Sequence, residues 1–391
     1  MQEVLEVRID SLAAGGDGVA RAPDGRVLFV PFTAPGDRVR VRLIETRARF
    51  ARGRVDALLE PGPARVDPVC PAFGSCGGCA WQHVAHEVQL EAKRRILEDA
   101  LRRIGGIAFT SEIEVVASPS PYGYRSRTRV VRSGDRIGYR RRRSRAVHAV
   151  SRCPVLTAGL ERVLHDLATT SEAGGDPGET EWELAEGVDG TRAGPMNAAP
   201  GDLEPLELQV LGDRLRISAG VFFQANAWLR DALATAVVDA AGRGETLVEV
   251  FSGAGFFTLA LSRRFTRVTA IEANPLAIAD LRTNLATARR ENVEVRAGAL
   301  EAALPRLTSA DAVVLDPPRT GLPPGTAVRL AALALRRIVY LSCDPATLAR
   351  DLSIFQAQGY RVERVTVFDL FPQTPHIETL ALLERRVATD P

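Results

Sequence analysis

Lysine is nearly missing from this chain: of its 50 Lys and Arg residues only one, Lys93, is a lysine. Arginine runs are therefore inflated by composition and carry less information than they would elsewhere. Long apolar runs are missing too. No stretch approaches the roughly 18 residues of a membrane span, which excludes a helical membrane protein. The N-terminus mixes Glu3, Glu6, Arg8 and Asp10 among its apolar residues and lacks the layout of a signal peptide. A cytoplasmic protein is the expectation. Net charge is only +2, so the whole molecule is no electrostatic glove for nucleic acid. Cysteine is scarce and odd in number: five.

Charge is nonetheless uneven. From Tyr122 to Arg152 eleven arginines face one acid, Asp135, whereas Glu172 to Asp189 is acidic and glycine-rich. The first stretch reads as a surface that meets phosphates. The cysteines are clustered as Cys70-x5-Cys76-x2-Cys79, with Cys153 and Cys343 further on. In a cytosolic chain this pattern points to a bound metal rather than disulfides.

The length predicts two or three domains. Residues 1–60 read as a small OB-like β barrel, because Val39, Val41 and Leu43 alternate with Arg38, Arg40 and Arg42 between recurrent turn signals. Those arginines, with Arg47, Arg49, Arg52 and Arg54, would suit phosphate contact. Residues 61–222 read as a β-rich middle domain that holds the clustered cysteines, with a helix over 86–104 that packs on the following domain. Residues 223–391 read as a doubly wound α/β domain. Short strands are expected at Leu247–Phe251, Val268–Glu272, Val293–Arg296, Ala312–Leu315 and Ile338–Leu341, separated mostly by helices. Ligands of such sheets sit beyond the carboxyl ends of the strands.

The strand-end residues carry the chemistry. Glu249-Val250-Phe251-Ser252-Gly253-Ala254-Gly255 lets the backbone pass close to a ligand at Gly253 and Gly255. Glu272 ends the next strand, where an acid can hold ribose hydroxyls. Thr258 stands where a dinucleotide loop has its third glycine, so the pattern favours S-adenosylmethionine, which carries no phosphate. Asp316-Pro317-Pro318-Arg319 fixes an acid at the rim of the sheet, and Arg319 replaces the aromatic that amine methylation would want. Cys343, in Ser342-Cys343-Asp344-Pro345, sits at a strand end just before a helix start, which favours a reactive thiolate over an inert core thiol. Phe371-Pro372-Gln373-Thr374-Pro375-His376-Ile377-Glu378 brings a histidine and a carboxylate to another strand entrance.

Together these motifs, with Asp316-Pro317-Pro318-Arg319-Thr320-Gly321 and Ser342–Asp351, resemble the RNA (uracil-5-)-methyltransferases over nearly the whole length. The resemblance implies a Rossmann-like methyltransferase domain, a TRAM-like RNA-binding barrel and S-adenosylmethionine as methyl donor. It implies Cys343 as nucleophile toward C6 of a uridine and Glu378 as the base that removes the C5 proton. Cofactor contacts would fall on Gln224, Phe251, Glu272 and Asp316. It also implies that Cys70, Cys76, Cys79 and Cys153 hold a 4Fe-4S cluster, although four thiolates also suit zinc. One departure is Ala299, where some relatives have a polar residue toward the adenine. The implied partner is RNA, with 23S rRNA favoured over tRNA; no membrane and no protein partner are implied, and a monomer is the default expectation. The rival of another class is a non-catalytic RNA-binding iron–sulfur protein.

Overall fold

The computed structural model describes residues 3–170, 178–199, 201–307, 309–333 and 336–386. Residues 172–177 of the acidic stretch thus lie outside the described residues.

Six strands build the N-terminal unit: β1 (Val4–Arg8), β2 (Ser11–Leu12), β3 (Gly18–Arg21), β4 (Val27–Val30), β5 (Arg38–Thr46) and β6 (Phe50–Glu60). They pair in the order β1-β5-β6-β4-β3-β2 around a core of Ile9, Leu28, Val30, Val39 and Val41. The alternation in β5 puts Val39 and Val41 inside and Arg38, Arg40 and Arg42 outside. These outer arginines are engaged in ion pairs: Arg38 with Glu60, Arg40 with Glu6 and Arg42 with Asp56. Phosphate would have to compete with those carboxylates.

Asp37, which is fully buried, locks this unit to the segment beginning at Gly62. It accepts from the N–H groups of Ala34 and Gly62 and pairs with Arg65 at 2.6 Å. Burial pushes its carboxyl up, but Arg65 and the two N–H groups outweigh this and leave it below the ordinary value.

Helix α1 (His86–Arg103) leads to β7 (Glu114–Val116). A five-stranded antiparallel sheet comes after it, built from β8 (Arg127–Ser133), β9 (Arg136–Arg140), β10 (Val147–Ala149), β11 (Glu179–Gly187) and β12 (Gly190–Pro195), and helix α2 (Ala158–Thr169) packs on it. A hairpin of β13 (Leu206–Val210) and β14 (Asp213–Ile217) comes next, and its apolar residues join the core of the last unit.

That last unit contains α3 (Arg230–Ala241), β15 (Gly244–Val250), α4 (Thr258–Leu261), β16 (Phe265–Glu272), α5 (Pro275–Thr287), β17 (Val293–Ala297), α6 (Leu300–Ala303), β18 (Ala312–Leu315), α7 (Thr326–Ala331), β19 (Arg337–Ser342), α8 (Pro345–Ala357), β20 (Tyr360–Phe368) and β21 (Glu378–Arg385). Its eight-stranded sheet runs β17-β16-β15-β18-β19-β21-β20-β7. Strands β15 to β19 are parallel, and β18 (Ala-Val-Val-Leu) is buried along its whole length, as a strand covered on both faces must be. The helix at 86–103 packs Leu97, Ala100 and Leu101 against Leu348, Ala349 and Leu352 of α8, and β7 pairs in parallel with β20 at the sheet edge. Among the described residues, no helix is long and apolar enough to cross a membrane.

Replacing Asp37 with alanine strands Arg65 and two backbone donors in a buried site. We expect Asp37→Ala to lower the stability of the N-terminal unit by about 3 kcal/mol in urea unfolding. A change under roughly 0.5 kcal/mol would show that the pairing contributes no net stability. The native contribution is complete above the unfolded carboxyl's pKa and fades as pH falls through the lowered folded value.

Candidate active site

Sheet order sets the site out in a row. Adjacent strands β16, β15, β18, β19 and β21 end or begin at one rim with Glu272, Phe251, Asp316, Cys343 and Glu378 in turn. At the usual spacing of about 4.8 Å per strand the row spans about 20 Å, the scale of an extended nucleoside plus a pyrimidine.

The first half of the row is shaped for a nucleoside. Phe251 and Ser252 both donate their N–H to the carbonyl of Ile271, which pulls the loop against β16. Phe251 adopts φ +65°, a left-handed backbone that an L side chain rarely takes, so the loop is strained where a ligand would sit. Gly253 (φ +56°) faces open space, and its N–H donates to Glu272 Oε2 at 2.9 Å. Gly255 packs so close to Leu281 that a Cβ would fall 2.8 Å from it. Glu272 Oε1 accepts from the N–H groups of Ala273 and Asn274, which fixes the carboxylate at the rim. Below the rim, Glu249 is buried with neither carboxyl oxygen hydrogen-bonded, and burial pushes it up to about 8. Ala299 is exposed at the start of α6 and offers no side-chain polar group. Gln224 is buried, in a segment that Asn226 ties to the carbonyl of Leu370.

The second half holds the thiol. The antiparallel register that pairs Ser342 with Thr379 brings the next residues, Cys343 and Glu378, side by side at the end of the ladder. Cys343 is half-buried and Glu378 is buried. Burial pushes the thiol up to about 11; the Glu378 charge adds to this, Arg319 works against it, and Asp316 adds a smaller push. This corrects the sequence expectation of a thiolate favoured by the helix start. The N-terminal N–H groups of α8 are occupied by Asp344, whose carboxylate accepts from Ala346 and Thr347 and cancels the positive helix end. Glu378 is held well above the ordinary carboxyl value by burial and then by Asp316, with Arg319 opposing. Desolvation moves Asp316 up to about 7, although part of the residue still meets solvent, which tempers that push.

The four remaining cysteines form a separate place. Cys70, Cys76, Cys79 and Cys153 line one small cavity with Phe73, Arg125 and Tyr139. Gly78 donates its N–H to Cys76 Sγ at 3.3 Å. Arg125 turns a buried Nε with no hydrogen-bond partner toward this region. Among the described residues, no three or more His, Cys, Asp or Glu side chains converge on a single metal ion.

Residues missing from the sequence reading surround the segment before Glu378. Trp81 and Ala80, next to Cys79, both donate N–H to the carbonyl of Gln373, and Tyr124 donates its hydroxyl to the carbonyl of Pro372. The signal that could have pointed here is Lys93: a lone lysine in an arginine chain turns out to be fully buried.

The electrostatics make a testable statement. Alkylation of the Cys343 peptide by iodoacetamide at pH 7.5, followed by mass spectrometry, should be slower than for an exposed cysteine and should climb about tenfold per pH unit toward a midpoint of about 11. Arg319→Ala should slow it further. Alkylation faster than that of a free thiol at pH 7.5 would contradict this charge balance.

Comparison with known proteins points the same way. The family model described as tRNA (Uracil-5-)-methyltransferase matches residues 205–386, and the TRAM domain model matches residues 2–55. The chain is 33% identical to the 23S rRNA (uracil(1939)-C(5))-methyltransferase RlmD of Edwardsiella ictaluri, over 98% of this chain and 96% of that protein. It is 32% identical to an uncharacterized RNA methyltransferase of Gloeobacter violaceus, over 98% of this chain and 97% of the relative. Its fold is similar to the crystal structure of Pyrococcus abyssi tRNA (uracil-54, C5)-methyltransferase in complex with S-adenosyl-L-homocysteine, with a TM-score of 0.74, 26% identity, and coverage of 97% of this chain and all of that one. The strand-end row, the TRAM unit and these full-length relatives agree: the chain belongs to the RNA (uracil-5-)-methyltransferase family.

Proposed function

We propose that this enzyme transfers a methyl group from S-adenosylmethionine to C5 of a uridine in 23S rRNA, with Cys343 as nucleophile and Glu378 as base. The observation that carries this reading is the adjacency of a thiol and a buried carboxylate at the same rim as the nucleoside-shaped loop. The rRNA assignment is supported by the full-length likeness to the rRNA enzyme of Edwardsiella ictaluri.

C5 of uracil is a poor nucleophile. The thiol gives up its proton to solvent, and Cys343 Sγ bonds to C6, which moves electron density to O4 and C5. C5 then takes the methyl group, and S-adenosylhomocysteine leaves. Glu378 accepts the C5 proton, and the electrons of that C–H bond re-form the C5–C6 double bond as the C6–S bond breaks. A carboxylate whose pKa is raised by burial is a stronger base than a surface glutamate, which suits the proton removal. Gln224, Phe251, Gly253, Gly255, Glu272 and Asp316 would hold the donor so that C5 and the methyl carbon meet in line. A stacked uridine cannot reach the rim and must be flipped out.

We further propose that Cys70, Cys76, Cys79 and Cys153 hold a 4Fe-4S cluster. Four thiols round one cavity supply the ligand set, and Arg125, with its unpartnered Nε, suits the negative charge of a thiolate-bound cluster. The cluster would supply structural cross-linking and charge at that place. The division that goes with this reading is a barrel at 1–60, a cluster-bearing middle at 61–222 and a methyltransferase unit at 223–391, with the helix and strand at 86–116 and the hairpin at 206–217 packed on the last unit.

With RNA tritiated at uridine C5, tritium should enter water in step with methyl transfer, and Cys343→Ala should abolish both. Continued release would remove Cys343 from its role. Glu378→Gln should accumulate a covalent protein–RNA adduct on a denaturing gel. Nucleoside mapping after deletion of the gene should show 5-methyluridine lost from 23S rRNA; loss from tRNA instead would overturn the rRNA assignment. Anaerobically purified protein should contain about four irons per chain, falling to near zero when Cys79 and Cys153 are both changed to Ser. Stoichiometric zinc without iron would sink the cluster.

A further inference from the structure

The lone lysine lies in α1, whose first half turns a polar face to the protein interior. His86, Gln89 and Lys93 share that face at helical spacing, and all three grip the segment 369–373. Lys93 Nζ donates to Asp369 Oδ1 at 2.5 Å and to the carbonyl of Phe371 at 3.0 Å. His86 Nε2 contacts the other oxygen of Asp369 at 2.8 Å. Gln89 makes a two-way amide pair with Gln373: its Nε2 donates to Gln373 Oε1 at 3.0 Å, and its Oε1 accepts from the Gln373 N–H at 2.9 Å. Gln373 has φ +68°, a conformation held only if its surroundings over-determine it. Five residues later the chain delivers Glu378.

Three features set this clamp apart from ordinary packing. Lys93 and Asp369 are essentially sealed from solvent, 0% and 1% exposed, where a charge is kept only with its partner. The second half of α1 docks an apolar face (Leu97, Ala100 and Leu101) on α8, which follows Cys343, so one helix spans the thiol's helix and the base's loop. No residue of the clamp touches the rim at Phe251, Glu272 or Asp316 by any hydrogen bond among the described residues.

We propose that Lys93 is a positioning residue for proton removal: by fixing Asp369 and Phe371 it holds the loop that sets Glu378 beside the C5 proton. The inference rests on the reading of Glu378 as the base. Its signature is step-specific. A misplaced base leaves S-adenosylmethionine binding and Cys343 addition intact and slows only the collapse of the adduct.

The test uses the full chain as Lys93→Met and as Lys93→Met/Asp369→Asn, which removes the buried charge pair together and spares the fold an uncompensated carboxylate. Glu378→Gln is run beside them. Equilibrium binding of S-adenosylmethionine should stay within about twofold of the native enzyme, turnover should fall about a hundredfold, and a covalent protein–RNA adduct should accumulate as in Glu378→Gln. An adduct in Glu378→Gln but none in the folded Lys93 variants overturns the positioning role alone. No adduct in Glu378→Gln overturns the base assignment instead. Native turnover, a parallel loss of S-adenosylmethionine binding, or failure of both Lys93 variants to fold would each show Lys93 to be structural only.

Discussion

Desolvated negative charge at one end of the sheet is the constraint that governs this molecule. Glu249, Asp316 and Glu378 are all pushed upward by burial, Glu272 stands beside them, and Arg319 is the cation whose charge reaches both Cys343 and Glu378. Such a rim resists gathering every negative charge at once. It favours a ligand that arrives positive, and a sulfonium does so. The same burial pushes both the Cys343 thiol and the Glu378 carboxyl upward. One cause therefore acts on both groups.

The parts outside the sheet are tied to this rim through a short cysteine-bearing loop. Cys76 bridges to Arg141 of the middle sheet, Trp81 donates its indole N–H to Gly16 of the TRAM unit, and Ala80 and Trp81 hold Gln373. Asp17, nearly buried, receives Arg142 and Arg143 from the middle sheet and Arg52 from its own unit. The barrel, the cysteine cavity and the segment that leads to Glu378 thus meet at one small junction rather than three separate ones.

Much of this was legible in the sequence because it is local. Four of the five expected strands of the catalytic sheet fall inside β16 to β19 and the first overruns β15 by one residue, since parallel strands buried on both faces read as short apolar runs. Pro-Pro after Asp316 and Asp-Pro after Cys343 marked strand ends as punctuation does. The TRAM alternation was equally plain. What failed was non-local. Nothing in Glu114–Val116 announces a partner at Thr366–Phe368, and the hairpin at 206–217 gives no sign that its core belongs with α3 and α5. The thiol's pKa was misjudged because its burial and the nearness of Glu378 come from the fold, whereas the helix start after Cys343 is visible locally. The barrel arginines looked free because their acids, Glu6, Glu60 and Asp56, come from other strands.

Strand β7 leads to one last consequence. It pairs with β20, yet Glu114 is synthesised 252 residues before Thr366. At about 5 to 20 residues per second the ribosome needs roughly 13 to 50 seconds to deliver that partner. Throughout that interval an unpaired edge must wait while the entire middle sheet is made and closed. Its three-residue length, led by the exposed Glu114, offers little to a wrong neighbour. Brevity at this edge is a safeguard during birth, in a register that joins an early segment of the chain to one near its end.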